Sequence, residues 1–156
     1  MQEMTEINRK AGVLWSGDSR NGTGLLSTES KVLFEQPFTN QTRFGDGTGT
    51  NPEELIAAAH AACFSMSLAS VFRKHGFEPI RTDTTATCTV VSKDGEHEIT
   101  NMRLHVRAEA PGMDNETFQK LIVEADEKCP VSYLLKHGLK LDITATLNEQ
   151  HSVPES

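Results

Sequence analysis

The stretch "NPEELIAAAHAACFSMSLASVFRKHG", Asn51 to Gly76, decides the fold. Asn51 is a good N-cap, Pro52 suits the first helical position, and Glu53 and Glu54 face the positive end of the helix dipole. At the far end Lys74 and His75 suit the last turn, and Gly76 can take the left-handed cap. The middle is rich in alanine, the strongest helix former. These signals predict a helix over about residues 52–75, roughly 36 Å long. From Leu55 to Phe72 its only polar side chains are His60, Ser65, Ser67 and Ser70. A helix with no charged face is buried on most of its sides. We therefore expect a central helix, wrapped by sheet or by another subunit.

Upstream, "GVLWSG" and "TGLLSTES" read as short strands joined by the turn residues Gly17, Asp18, Asn21 and Gly22. "KVLFEQ" reads as a third strand, completing an N-terminal meander. The segment "PFTNQTRFGDGTGT", Pro37 to Thr50, is expected to be a loop without a regular element. A glycine-rich loop carrying Arg43 is either a functional segment or a connector with a solvated arginine.

Downstream, "RTDTTATCTVV" alternates and reads as a strand, with Asp94-Gly95 as the hairpin turn. The return strand "EITNMRLHVRAEA" places Ile99, Met102, Leu104 and Val106 on its inner side, with a bulge near Asn101. "DNETFQKLIVEADEKC" is an amphipathic helix capped by Asp114. "PVSYLLKH" is a short helix ending at Gly138, and "KLDITATL" reads as a last strand. The order βββ-α-ββ-α-α-β is an α+β pattern with antiparallel sheets. One domain over residues 1–156 is expected, with flexible tails at 1–10 and 149–156.

The chain of 156 residues carries a net charge of −7 with a sequence pI near 5.3. An acidic chain without a basic stretch argues against nucleic acid and anionic membrane as partners. The start "MQEMTEINRKAG" lacks the apolar core of a signal peptide, and His60 and the serines interrupt the one long apolar segment. The expected compartment is the cytoplasm.

Three cysteines, Cys63, Cys88 and Cys129, argue against a disulfide framework. Cys63 is either an inert core thiol or, given a nearby cation, a reactive one. Arg43 is the best cation the sequence offers. Cys129 precedes Pro130, so it is expected at the N-cap of the short helix, where a thiolate is favoured; the alternative is simple packing between helices. Cys88, between two threonines in a strand, reads as structural. His60, three residues before Cys63, is either a hydrogen-bonded core histidine or half of a metal site, but no second cluster of metal ligands accompanies it. Glu53 lies about 15 Å along the helix axis from Cys63. One helix cannot bring those two side chains together; two antiparallel copies crossing near Ala57 and Ala58 can. A sheet packed on the alanines of a monomer is the alternative.

"TRF" at Thr42–Phe44, "TNPEELIAAAHAACFSMSLA" at Thr50–Ala69 and "CPVS" at Cys129–Ser132 closely resemble the OsmC/Ohr family of peroxidases, and "AAHAACFSM" favours the OsmC (osmotically inducible protein C) branch over the organic hydroperoxide resistance branch. The resemblance runs from "GVLWSGD" to "KLDITATL". It implies the OsmC-like fold, with antiparallel sheets around a long central helix, in an intertwined homodimer whose active sites lie at the subunit interface. It further implies a thiol-dependent peroxidase for organic hydroperoxides, less active on hydrogen peroxide. Cys63 matches the peroxidatic cysteine and Cys129 the resolving one. Arg43 matches the arginine that supports the thiolate, and Glu53 the glutamate that holds that arginine. No metal or bound cofactor is implied; an external dithiol, such as a lipoylated protein, would be the reductant. The longer polar C-terminal tail and Cys88 depart from the family pattern without touching its motif. A redox sensor without turnover and a zinc hydrolase using His60 and Cys63 are the competing readings.

Overall fold

The structure, a computed structural model, describes residues 4–148. Three short strands, β1 (Ala11–Ser16), β2 (Thr23–Thr28) and β3 (Gln36–Phe38), form an antiparallel sheet in the order β1-β2-β3. A short helix α1 (Asn40–Phe44) follows, then the long helix α2 (Pro52–Lys74). Strands β4 (Arg81–Lys93) and β5 (Glu96–Glu109) pair as a long antiparallel hairpin. Helices α3 (Asn115–Lys128) and α4 (Pro130–His137) complete the described elements.

Helix α2 starts and stops where its caps place it. The Asn51 side chain accepts from the Glu54 N–H, and His75 closes the last turn ahead of Gly76 at φ +79°. In the β4–β5 turn, Asp94 and Gly95 both have positive φ, 53° and 79°, which matches the right-handed twist of the flanking strands. The bulge also forms: Thr89 pairs with Asn101 and Val90 with Ile99, leaving Thr100 without a partner. Ile99, expected on the inner side, pairs with Val90 next to the bulge and is 45% exposed.

The core is a seam along one face of α2. Phe64, Leu68, Val71 and Phe72 pack with Leu121 and Ala125 of α3 and with Cys129, and Leu104 and Val106 of β5 close it from the sheet side. These residues follow the 3.6-residue period that keeps one stripe of a helix inward. By length and composition α2 could also cross a bilayer, with a mean hydropathy of 1.8 over its most apolar window. Here it is the core helix instead.

Three expectations need correction. The segment after Pro37 is not irregular. Thr39 accepts from the Thr42 N–H and Thr42 returns a bond to the Thr39 backbone, and this capping box starts α1. The third strand is Gln36–Phe38 and not "KVLFEQ", because a turn runs through Glu29–Leu33, where the Thr28 N–H bonds the Leu33 carbonyl. "KLDITATL" is extended but forms no ladder; Leu139, Leu141, Ile143 and Leu147 are all more than 60% exposed. A strand forms only against an edge, and among the described residues of one chain this segment meets none. The central helix α2 is as expected, with one side covered within a single chain. Ala58, Ala59, Ala62, Met66, Ala69 and Ser70 form an exposed stripe on the opposite side. The tail at 149–156 lies outside the described residues.

Candidate functional site

Two separate pairs of side chains stand out. The first joins α2 to α4. Cys129 is fully buried at the N-cap of α4, and its Sγ accepts the Ser132 N–H at 3.4 Å. Pro130 fits the first helical position, where its missing N–H is no loss. Cys63, in the middle of α2, packs against the core cluster that contains Cys129, and each thiol bears on the ionisation of the other. Residues 66 positions apart are thus brought together by the packing of α2 on α4. Both thiols are free.

The two sulfurs are driven in opposite directions. Burial works against a Cys129 thiolate, but the Ser132 N–H, with lesser help from the Ser132 hydroxyl, the Cys63 thiol and the Val131 N–H, outweighs it and holds the pKa below that of an ordinary thiol. This is the usual effect of a helix N-terminus on a cysteine. Burial pushes the Cys63 thiol up, its neighbour Cys129 adds to the rise, and the Val131 N–H opposes it only in part. Within one chain, a negative charge is favoured on Cys129 over Cys63.

The second pair lies at the start of α2. Arg43, on α1, donates to Glu53 from Nη2 at 2.7 Å and from Nε at 3.0 and 3.2 Å. This fork-on-carboxylate geometry makes the strongest of side-chain ion pairs. Burial raises the Glu53 pKa, but the hydrogen bonds and charge of Arg43 outweigh it, so the carboxyl sits below the usual range. The Arg43 guanidinium also lies over the Phe44 ring, 4.7 Å from its centroid, and Phe44 stacks on His97 from the hairpin tip at 4.3 Å. These groups border a cleft of about 570 Å³ that Trp15 and Phe38 also line. Its walls carry aromatic rings and two cations, Arg20 and Arg43.

The structure therefore pairs Cys63 with Cys129 and Arg43 with Glu53, but it does not join the pairs. Every side-chain hydrogen bond of Arg43 goes to Glu53, which lies about 15 Å along α2 from Cys63. Cys88 faces inward on β4, where burial and the Glu53 charge both push its thiol up. It is a poor nucleophile. His60 is a core histidine with its Nε2 2.8 Å from Ser132 Oγ, and among the described residues no three His, Cys, Asp or Glu side chains group to hold a metal. Ser132 was missed from sequence although it stands in "CPVS". Its signal was the position, third in a cysteine-capped helix, where the N–H meets the capping atom.

Two neighbouring thiols, one of them capping a helix N-terminus, together with an arginine anchored on a carboxylate, define a small α+β thiol-redox protein. The comparisons with known proteins give the family. The profile of the OsmC-like proteins matches residues 45–144, and the chain belongs to that family. It is 46% identical to "Peroxiredoxin OsmC" of Escherichia coli (strain K12) over 136 residues, 87% of this chain and 95% of the relative. It is 31% identical to an "Organic hydroperoxide resistance protein" of Xanthomonas axonopodis pv. citri over 102 residues, 65% of this chain and 68% of that one. Among solved structures, the organic hydroperoxide resistance protein of Elizabethkingia anophelis superposes with a TM-score of 0.63 at 26% identity, covering 86% of this chain and 92% of that one.

Proposed function

We propose that the protein is a thiol-dependent peroxidase that reduces organic hydroperoxides, and hydrogen peroxide less readily, as part of stress defence in the cytoplasm. The observation that carries this reading is the packing of Cys63 against the core cluster that holds Cys129. The Cys63 thiolate attacks the distal oxygen of the peroxide. The O–O bond breaks, an alcohol leaves with one proton, and Cys63 becomes a sulfenic acid. Cys129 then attacks that sulfur; an S–S bond forms and water leaves. An external dithiol, such as a lipoyl group on a partner protein, restores both thiols by exchange and is itself oxidised to a disulfide.

The first step needs Cys63 ionised, and in one chain burial opposes that. A second copy supplies the remedy. Two α2 helices crossing antiparallel on their small exposed residues bring the start of one helix near Cys63 of the other. The Arg43–Glu53 pair of one protomer then faces the dithiol of its partner. The bare alanine stripe of α2 and the unpaired apolar segment after Gly138 support this homodimer. The aromatic cleft beside Arg43 suits an alkyl group better than water, which favours organic peroxides.

The test is peroxide consumption with dihydrolipoamide as reductant, comparing tert-butyl hydroperoxide with hydrogen peroxide. Turnover with the organic peroxide, lost in Cys63→Ser, is expected. Oxidation of one thiol per chain without turnover would instead favour a sensor.

A further inference from the structure

We propose that His60 is a positioning residue for the second step, holding the resolving sulfur in register with Cys63 through Ser132. The inference rests on the dithiol cycle above and adds a residue to it.

Ser132 makes two bonds in two directions. Its backbone N–H donates to Cys129 Sγ at 3.4 Å, and its Oγ lies 2.8 Å from His60 Nε2. His60 sits on α2, one turn before Cys63, where i and i+3 share a face. One serine thus links the sulfur at the start of α4 to the helix that carries the other sulfur. Both members of the link are inside the protein, His60 at 6% exposure and Ser132 at 2%.

Asp126, ion-paired with Lys136, borders the same cleft as His60 and Ser132. His60 Nδ1 is buried without a hydrogen-bond partner among the described residues. The imidazole is consequently held by Ser132 alone on its polar side, and the bond serves to fix Ser132. Adhesion between α2 and the α3–α4 layer does not require it, since Phe64, Leu68, Leu121 and Ala125 already supply an apolar seam. Burying an imidazole with one nitrogen unsatisfied costs stability. Its presence beside the dithiol is accounted for by geometry: the Cys129 thiolate must meet the Cys63 sulfenic sulfur on line, expelling hydroxide that leaves as water. A misplacement of about 1 Å at a reacting pair costs up to roughly a hundredfold in rate.

His60 touches neither sulfur by hydrogen bond, so its loss should slow one step only. The measurement is stopped-flow tryptophan fluorescence and quenched thiol counting after one equivalent of tert-butyl hydroperoxide, with dimedone to trap sulfenic acid. In His60→Leu and Ser132→Ala, we expect disulfide formation to slow about tenfold and dimedone adducts to accumulate. The peroxide-dependent phase should stay within about twofold. His60→Gln, whose amide can hydrogen-bond from near the Nε2 position, should recover most of the rate, which a purely structural loss would not predict. If His60→Leu does not fold, Ser132→Ala and His60→Gln carry the test. Disulfide formation at the wild-type rate in both Ser132→Ala and the folded His60 variants would overturn the proposal while leaving the cycle standing. A wild-type protein that forms the sulfenic acid but no Cys63–Cys129 disulfide would overturn the dithiol reading, and this inference with it.

Discussion

Arg43 and Glu53 lock together at 2.7 Å, and the thiol that most needs a cation, Cys63, sits ten residues further along the helix that carries Glu53. On the proposed reading, the arginine serves the cysteine of a second copy. Arg43→Ala should then lower kcat/KM for organic hydroperoxide by about a hundredfold, the scale of removing one preorganised charge from a reacting centre. The Cys63 thiol, followed by thiolate absorbance in Cys129→Ser, should titrate at higher pH when Arg43 is also absent. Arg43→Lys should restore little, because a point charge does not reproduce the fork. An Arg43→Ala protein with an unchanged Cys63 titration would remove the arginine from the mechanism.

The same pair bears on stability. Arg43→Ala leaves the Glu53 carboxylate, 7% exposed, without its partner, and we expect a loss of about 3 kcal/mol, at the low end for a broken pair because Arg43 itself is 35% exposed. Glu53 is held below its unfolded pKa. Its contribution is therefore complete above about pH 4.3 and is lost as pH falls through the folded value. Urea melts between pH 7 and 3 should show this slope in the wild type and a shallower one in Glu53→Gln.

His60 has the opposite titration from a salt-bridged histidine. Burial lowers its pKa in the folded state, so the unfolded chain binds the proton more readily. Its stabilising contribution is present above about pH 6.5 and declines as pH falls below that. Thermal midpoints should drop between pH 7 and 5, and less so in His60→Gln. Parallel curves for the two proteins would count against a buried neutral imidazole.

Ala62 lies in the exposed stripe of α2. Ala62→Glu should leave the fold of one chain intact and prevent two helices from approaching. Sedimentation should change from dimer to monomer, and peroxide turnover should fall at least tenfold with Cys63 and Cys129 untouched. A wild type that sediments as a monomer while remaining active would rule out the shared site.

Local signals were legible where a residue acts on its own neighbours. The Asn51 cap, the Asp94-Gly95 turn and the bulge near Asn101 depend on short-range chemistry, and each stands where the sequence places it. The start of α4 at Cys129 is of the same kind. α1 escaped because its capping box uses Thr39 and Thr42 in place of the usual glutamate, inside a segment crowded with glycine. The last strand was misjudged because alternation reports which faces differ, not whether an edge is available to pair with. The proximity of Cys63 to Cys129 joins elements 66 residues apart, and no spacing rule carries that information. For Ser132 the bond to Cys129 had a local signal, whereas its partner His60 lies 72 positions away.

Cys129 is one of the few fully buried residues of the core, so the proposed chemistry takes place inside the part that keeps the chain folded. Closing a bond from Cys63 to Cys129 would restrain a loop of 66 residues in the unfolded chain, worth about 4 kcal/mol in the chain-entropy account. Each catalytic cycle would then alternate a looser protein with a tougher one. Molecules waiting for reductant would outlast those already recharged under heat or protease, and the surviving population would keep a record of recent peroxide exposure.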